Sequence, residues 1–251
     1  STSAKKPMRT PPRETAAKSV PIAGRLAGKG GFALKNVRIW FEKDGTSRFI
    51  SHLDLNRCMS RGIHRSGIPI WYTEGFNPHP FLTFALPLSL GVRGKRESMD
   101  IKLVDEMPEK EIIERLNPCL PEGIRVFAVT DPVMKPGRIS YARYQLVLTA
   151  EHHSPSQILQ AVQKIMDMPQ IMVEKKTKSG IKEMDLKKNL GEYQVTVGQE
   201  CVFLRILLPA GSSNNVNPQL LLDAIKQYEG IELYADITRL DLYNEEREPF
   251  C

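Results

Sequence analysis

The order of hydrophobic and polar positions predicts that the first part of the chain alternates strands with helices. Residues 37–41 alternate β-branched and aromatic side chains, a pattern typical of a strand. Ser51 is suited to cap a helix because Asp54 follows three positions later, and the apolar stripe beyond it ends at Gly67. Similar patterns predict strands at residues 68–72, 99–104 and 124–129 and a helix at residues 109–116. The predicted order is β-α-β-β-α-β.

The second part of the chain repeats this order of elements, without convincing residue-level similarity between the halves. Pro155 directly after Ser154 predicts the start of a helix, because proline suits the first helical position. A second helix is predicted to open at Asn217 and Pro218 and to end at Gly230, with an inward face that consists of Leu220, Leu221, Ala224, Ile225 and Tyr228. The predicted strands are residues 144–149, 170–174, 201–208 and 231–242.

These patterns predict an α+β fold of two tandem ferredoxin-like units, since each half has the same element order. The first unit is predicted at residues 34–131 and carries a long motif-bearing loop, and the second is predicted at residues 140–245. Residues 132–139, which are rich in proline and glycine, form the predicted join.

The net charge of +6 is confined to the N-terminal stretch, where the first 31 residues carry seven basic side chains and one acidic one. Few large apolar residues occur there, so residues 1–33 are predicted to form a flexible basic tail or linker. Such a segment is either a nucleic-acid-binding arm attracted to phosphates or a solvated linker to an upstream domain.

Several classes of protein are disfavoured by what the sequence lacks. The four cysteines form no C-x-x-C pair, which argues against a zinc module and a disulfide framework and favours a reducing compartment. The sequence has no run of eighteen apolar residues and no signal-peptide core, so we expect a cytoplasmic protein without a membrane partner. The glycine-rich, nucleophile-elbow, zinc-protease and radical SAM cysteine motifs are also missing, and we expect no cofactor and no metal in this chain.

Three arginines form the first candidate for a binding function. Arg57, Arg61 and Arg65 recur every four residues on the first predicted helix, which places them in one row opposite its apolar stripe. Guanidinium groups suit phosphates because each can donate to two oxygens at once. The alternative is an ordinary solvated helix face.

The loop at residues 74–96 is the second candidate, because loops of this length in compact domains are usually functional or disordered. Its many phenylalanines and leucines argue against disorder, and burial is expected for them. A packed loop would present Asn77 and His79 beside a strand end. Phe76 would either stack on a base or fix the loop in place.

The histidines leave two alternatives open. His52, Asp54 and His79 would form a metal site if they converged, since imidazole and carboxylate are usual metal ligands. Alternatively, His52 and His79 would act as general base and acid in RNA cleavage without a metal.

A lysine-rich turn is the last candidate. Residues 175–182 hold four lysines around a Ser-Gly turn, and Lys176, Lys178 and Lys182 are candidate phosphate contacts. A solvated hairpin tip is the alternative interpretation.

The motifs at residues 48–54, 75–80, 86–91 and 178–182, together with Asp185, resemble a bacterial family of unknown function known as radical-SAM-associated or radical-SAM-linked proteins. The resemblance spans about residues 35–245. It implies a gene beside, or fused behind, that of a radical SAM protein, often near genes for ribonuclease G and a large-subunit ribosomal protein. This neighbourhood implies RNA or ribosome biology, and the family brings no established catalytic residues.

Our leading hypothesis is a non-catalytic RNA-binding partner that presents an RNA or ribosomal substrate to a radical SAM enzyme. The alternatives are a metal-independent endoribonuclease that uses His52 and His79, and a protein-interaction adaptor that does not bind RNA. The candidate RNA-binding residues are Arg48, Ser51, His52, Arg57, Arg61, Arg65, Phe76, Asn77, His79, Lys176, Lys178 and Lys182.

Overall fold

The computed structural model describes residues 34–177, 180–212 and 214–251, and the predicted tail at residues 1–33 lies outside this part. The strands are β1 (Lys35–Lys43), β2 (Leu82–Phe84), β3 (Arg93–Leu103), β4 (Ile124–Thr130), β5 (Tyr141–Thr149), β6 (Met172–Thr177), β7 (Gly180–Asp185), β8 (Tyr193–Val197), β9 (Val202–Pro209) and β10 (Tyr234–Tyr243). The helices are α1 (His52–Ser66), α2 (Glu109–Leu116), α3 (Pro155–Asp167) and α4 (Gln219–Glu229).

Most strands join one sheet in the order β4-β1-β3-β10-β5-β9-β8. Strand β2 pairs with residues 99–101 of β3, beyond the two residues of β3 that pair with β10. Neighbouring strands are antiparallel except β3 and β10, which are parallel where Thr238 pairs with Arg93 and Arg239 with Gly94. Strands β6 and β7 form a separate antiparallel hairpin. The fold class is therefore α+β, and the sheet is continuous from the first half of the chain to the second.

The ends of α1 follow from its sequence. The Ser51 hydroxyl accepts a hydrogen bond from the amide of Asp54, as expected of an N-cap. Leu55, Met59 and Ile63 are buried on the helix face that packs on the sheet. Gly67 ends the helix with φ +67°, a left-handed conformation that glycine adopts without strain.

Two apolar clusters hold the described part of the chain together. In the first, α1 and α2 pack against the inner side chains of β1, β3 and β4. In the second, α3 and α4 pack against β5 and β9, and the C-terminal Phe250 joins the same cluster. The second cluster also contains Trp40, Leu88 and Val92 from the first half, so apolar packing contributes to joining the halves.

The halves meet at a buried ion pair between β3 and β10. Glu97 accepts hydrogen bonds from Arg239 at Nε (3.0 Å) and Nη2 (2.5 Å). The same guanidinium donates to the carbonyls of Leu86 and Pro87, which anchors the long loop to the sheet. Lys43 is buried nearby and donates to the carbonyl of Ile50 at 2.6 Å. Burial lowers the pKa of Lys43, and the charge of Glu97 opposes that shift.

The second strand of each predicted unit was placed wrongly. Residues 68–72 contribute only isolated bridges at Ile70 and Tyr72, and the strand that pairs beside them on β3 is β2. In the second half, the residues predicted as a strand at 170–174 lead into β6, which belongs to the separate hairpin. The strand that pairs with β9 on the edge opposite β5 is β8, which the sequence patterns did not indicate.

Three burial predictions also fail, and the one for Phe76 is described with its loop below. Tyr228 and Leu90 are exposed, although both were expected to face inward. Tyr228 exchanges hydrogen bonds with the backbone of Met172 through its hydroxyl, so a surface position satisfies its polar end. No helix among the described residues is long and apolar enough to span a membrane.

Candidate functional site

The three arginines of α1 line one surface groove. Arg57, Arg61 and Arg65 form one side, and residues 118–121 form the other. The groove has a volume of about 550 Å³, and Cys58 lies at its floor between the two sides. The structure thus brings together the three side chains that the helical spacing predicts to lie in a row.

The groove carries more positive than negative charge. Asp54 is its one carboxylate, and it lies 3.0 Å from Arg57. Arg65 donates to the carbonyl of Cys119 at 2.6 Å, which holds this guanidinium against the far side. Arg61 lines the groove and forms no ion pair or hydrogen bond with any described residue. Burial raises the pKa of the Cys58 thiol despite the nearby Arg65 and Arg61, so the groove holds a neutral thiol at pH 7.

Asp54 is explained by its position at the start of the helix. Its carboxylate accepts a hydrogen bond from the Ser51 hydroxyl at 2.7 Å and another from Arg57 at 3.0 Å. These two partners lower the pKa of Asp54, with Ser51 contributing more. An ionised capping carboxylate is a poor general acid. Among the described residues, no group of three His, Cys, Asp or Glu side chains is arranged to hold a metal.

His52 is half-buried at the first turn of α1. Its ring meets the ring of Phe84 edge to face at 5.1 Å, and its Nδ1 atom is buried without a hydrogen-bond partner among the described residues. Burial lowers the pKa of His52, and the positive charge of Lys43 lowers it further. The imidazole is therefore neutral at pH 7.

The loop that contains Phe76 is a closed turn with an exposed aromatic tip. The amide of Thr73 donates to the carbonyl of His79 at 2.9 Å, and Tyr72 bridges to Pro80. Phe76 lies between these closures and is fully exposed, so the prediction of its burial is wrong. The closed turn presents this ring to solvent, which makes it available to a ligand or partner.

His79 is held at this turn and does not meet His52. Its Nδ1 lies 3.1 Å from the hydroxyl of Thr73 and 3.1 Å from the carbonyl of Asn77. His52 instead contacts Phe84, and the extended residues 80–84 span about 13 Å at roughly 3.3 Å per residue. No described contact joins the two imidazoles, and their pairing as general acid and base stays a prediction.

Arg48 belongs to a chain of ion pairs. It lies 3.0 Å from Asp236, which also binds Arg93 at 2.6 Å. Arg93 in turn lies 3.3 Å from Asp44, and Lys95 binds Asp44 at 2.6 Å. Arg48 also lines a groove of about 590 Å³ where the two halves meet. Because Asp236 is shared by Arg48 and Arg93, these ion pairs link the two halves, and RNA binding by Arg48 stays a prediction.

The lysine-rich hairpin of β6 and β7 places like charges opposite one another. Lys175 pairs with Lys182 and Glu174 with Glu183, and such pairs are unfavourable in an isolated hairpin. Lys175 donates to the carbonyl of Asn215 at 2.7 Å. Lys176 and Lys182 are exposed, whereas Lys178 lies outside the described residues.

Sequence reasoning missed a polar surface on the second half of the sheet. Phe203 and Arg205 alternate with the buried Val202, Leu204 and Ile206 along β9, which places both side chains on the uncovered face. The same alternation was visible in the sequence, where it was used only to predict a strand. Only the tertiary structure shows that β5 and β8 flank β9, so that their exposed side chains form one surface with Phe203 and Arg205.

Comparison with known proteins gives a family match and likenesses to solved structures of low sequence identity. No curated protein matches the chain. Among solved structures, the chain is similar to one titled Crystal Structure of a Cbf5-Nop10-Gar1 Complex, with a TM-score of 0.48 and 12% identity over 83% of this chain. The chain covers only about half of that structure's chain (50%). A second similar structure is an unknown protein from Galdieria sulphuraria, with a TM-score of 0.24, 12% identity and coverage of 82% of this chain and 99% of the other. Neither likeness is close enough to support a functional argument.

The family match covers the groove on α1, the long loop and most of the second half. It extends over residues 36–218, which is more than half of the chain. On this match, the chain belongs to the family described as Uncharacterized protein conserved in bacteria (DUF2344).

Proposed function

We propose that this chain is a non-catalytic, cytoplasmic RNA-binding partner of a radical SAM enzyme, to which it presents an RNA or ribosomal substrate. The observation that carries the RNA-binding part is the groove on α1, where three guanidinium groups face one wall formed by residues 118–121. Four helical residues rise about 6 Å, so the arginines are spaced to contact successive phosphates of an extended strand. The single carboxylate in the groove neutralises only one of them.

The proposed enzyme partner rests on a separate argument. The motifs at residues 48–54 and 75–80 resemble radical-SAM-linked proteins, and this chain lacks the cysteine motif of a radical SAM enzyme. A protein of this kind would therefore act beside such an enzyme. The groove supplies contacts to the phosphate backbone, and the partner would supply the chemistry.

We also propose that the scaffold consists of two ferredoxin-like units. In the first half the strand order is β4-β1-β3-β2, and in the second half it is β10-β5-β9-β8. Numbered within each half, both orders are fourth, first, third, second, which is the ferredoxin-like arrangement. This proposal treats the β6–β7 hairpin as an insertion before the second strand of the later unit.

The test of RNA binding is fluorescence anisotropy with a labelled single-stranded RNA over a series of KCl concentrations. Each phosphate contact contributes a slope of roughly −0.7 in log K against log salt for single strands. Replacing Arg57, Arg61 and Arg65 together by alanine is expected to make the slope shallower by about 2, because three contacts are lost. The affinity for RNA at low salt should also fall in this variant.

The matched control removes the same charge from the exposed faces of the other helices, through Lys110→Ala, Lys164→Ala and Lys226→Ala. This variant should retain nearly the wild-type slope, since a long-range effect of net charge is weaker than loss of direct contacts. Equal loss in both triple variants would show that the α1 row is an ordinary charged surface and would refute the proposed groove.

A protein-interaction adaptor is the second candidate, and the exposed ring of Phe76 favours it. In this case, Phe76→Ala would abolish co-purification with the radical SAM protein while leaving RNA binding intact. Undiminished co-purification after Phe76→Ala and Phe81→Ala together would count against the adaptor. No specific observation favours the endoribonuclease.

A further inference from the structure

The uncovered face of the second half of the sheet has an ordered pattern of side chains. We call this surface the β9 face. In one row across three strands, Gln145 pairs with Arg205, and Arg205 pairs with Gln194. In the next row, Val147 pairs with Phe203, and Phe203 pairs with Thr196. Cross-strand partners project from the same face, so the two rows lie side by side about 7 Å apart.

The β9 face forms a shallow basin with mixed chemistry. Gln145, Gln194, Thr196, Phe203 and Arg205 line a depression of about 390 Å³. Phe203 leaves 38% of its surface exposed, which is unusual for a phenylalanine in the centre of a sheet. Arg205 donates through Nε to Gln145 at 3.2 Å and forms no ion pair with a described residue, so its terminal nitrogens are available to a ligand.

A second depression of about 220 Å³ extends the positive charge of this face. Arg143 and Arg205 both line it, together with Glu192. Glu192 is already engaged, because it pairs with Arg247 and lies 3.9 Å from Arg143. The carboxylate therefore does not balance the charge of Arg205, and the surface remains attractive to an anion.

We propose that the β9 face binds the bases of single-stranded RNA. Phe203 stacks on one base, and the side-chain amides of Gln145 and Gln194 bond its edge. Arg205 and Arg143 contact the flanking phosphates. An aromatic ring on a central strand with basic and amide groups in the neighbouring rows provides each of these contacts within the reach of one nucleotide.

This inference extends the proposed function by specifying the strand state of the RNA, and it concerns a different surface from the α1 groove. Stacking on Phe203 requires an unpaired base, since the faces of bases inside a duplex are covered by their neighbours. The α1 arginines contact only phosphates, which a duplex also presents. Of these two surfaces, the β9 face is therefore the one that discriminates between single and double strands.

The experiment compares Phe203→Ala with Phe127→Ala in the full chain. Phe127 lies on β4 near the other edge of the same sheet and is 40% exposed, so it matches Phe203 in residue type, element and exposure. Binding of a labelled twelve-nucleotide RNA is measured by anisotropy, alone and annealed to its complement. Phe203→Ala is expected to weaken single-strand binding by about 5- to 100-fold. Phe127→Ala should change it by less than about twofold.

Two further readouts separate a lost stacking contact from general damage. Phe203→Tyr should restore most of the affinity, because tyrosine keeps an aromatic face, whereas Phe203→Leu should not. Photocrosslinking with 5-iodouridine RNA should place an adduct on the tryptic peptide of residues 189–205, which contains Phe203. Thermal melting of each variant reports whether the fold is intact.

The outcomes distinguish the two surfaces. Loss of single-strand affinity in Phe203→Ala, with duplex binding unchanged and the crosslink present, supports the β9 face even if the triple arginine variant binds normally. Wild-type affinity in Phe203→Ala, or equal loss in the two phenylalanine variants, overturns it even if the arginine row proves essential. No RNA binding by the wild-type chain overturns both proposals.

Discussion

Replacing Glu97 by alanine tests whether the buried ion pair joins the two halves of the chain. Glu97 and Arg239 are 4% and 2% exposed, and their hydrogen bonds of 3.0 and 2.5 Å are bidentate. Burial acts to lower the pKa of Arg239, but the charge of Glu97 raises it above the ordinary value. Without Glu97, the guanidinium remains charged inside the protein and loses its only carboxylate partner among the described residues.

The expected loss follows from these contacts. Removing one partner of a buried pair destabilises a protein by about 3–5 kcal/mol. The carbonyls of Leu86 and Pro87 still accept from Arg239, so the lower end, about 3 kcal/mol, is expected here. A domain with a free energy of unfolding of about 5–15 kcal/mol would lose a large fraction of its stability.

The assay is urea unfolding followed by circular dichroism. The double variant Glu97→Leu with Arg239→Met should recover much of the loss, because it removes both charges and keeps the volume. The control is Glu111→Ala, which breaks the more exposed pair with Arg115 on α2 and should cost less than about 1 kcal/mol. A loss below about 1 kcal/mol for Glu97→Ala would refute the reasoning, since it would mean that the guanidinium reaches water without its partner.

Three further predictions concern the candidate site. The pKa of His52 is lowered in the folded chain, so stability is present above the unfolded value near 6.5 and decreases as pH falls below it; His52→Gln should flatten this part of the urea midpoint profile, and an unchanged profile would contradict the shift. Ser51→Ala should lower the free energy of unfolding by about 1 kcal/mol through loss of the helix cap, with Ser51→Thr close to wild type because it keeps the hydroxyl; equal losses would contradict the capping role. Phe76→Ala should leave the melting temperature unchanged because the ring is fully exposed, whereas Phe81→Ala, whose ring packs 5.7 Å from that of Trp71, should lower it.

Local patterns predicted α1 and α3 well. Ser51 caps α1 and Gly67 ends it, and α3 begins at Ser154 and Pro155 as predicted, where Ser154 forms a capping box with Gln157. The arginine row was predictable for the same reason, because helical spacing alone places the three side chains on one face. The facing wall at residues 118–121 was not predictable, since it depends on how the segment after α2 packs beside α1.

Burial of the loop residues was predicted only in part. Hydrophobicity indicated that both Phe76 and Leu88 should be covered, but only Leu88 reaches the core. The difference arises because the backbone hydrogen bond between Thr73 and His79 closes a turn that exposes Phe76. The pattern of apolar residues along the chain does not indicate this hydrogen bond.

By itself, the sequence determined the helices, their caps, most strands and the α+β class, because these depend on side chains a few positions apart. Tertiary structure alone decided which strands pair, where the β6–β7 hairpin lies, and that Glu97 and Arg239 are buried. Those two residues are 142 positions apart, and their charges are tolerated only because folding brings them within hydrogen-bonding distance. The β9 face likewise exists only after β5, β9 and β8 align their exposed positions in register.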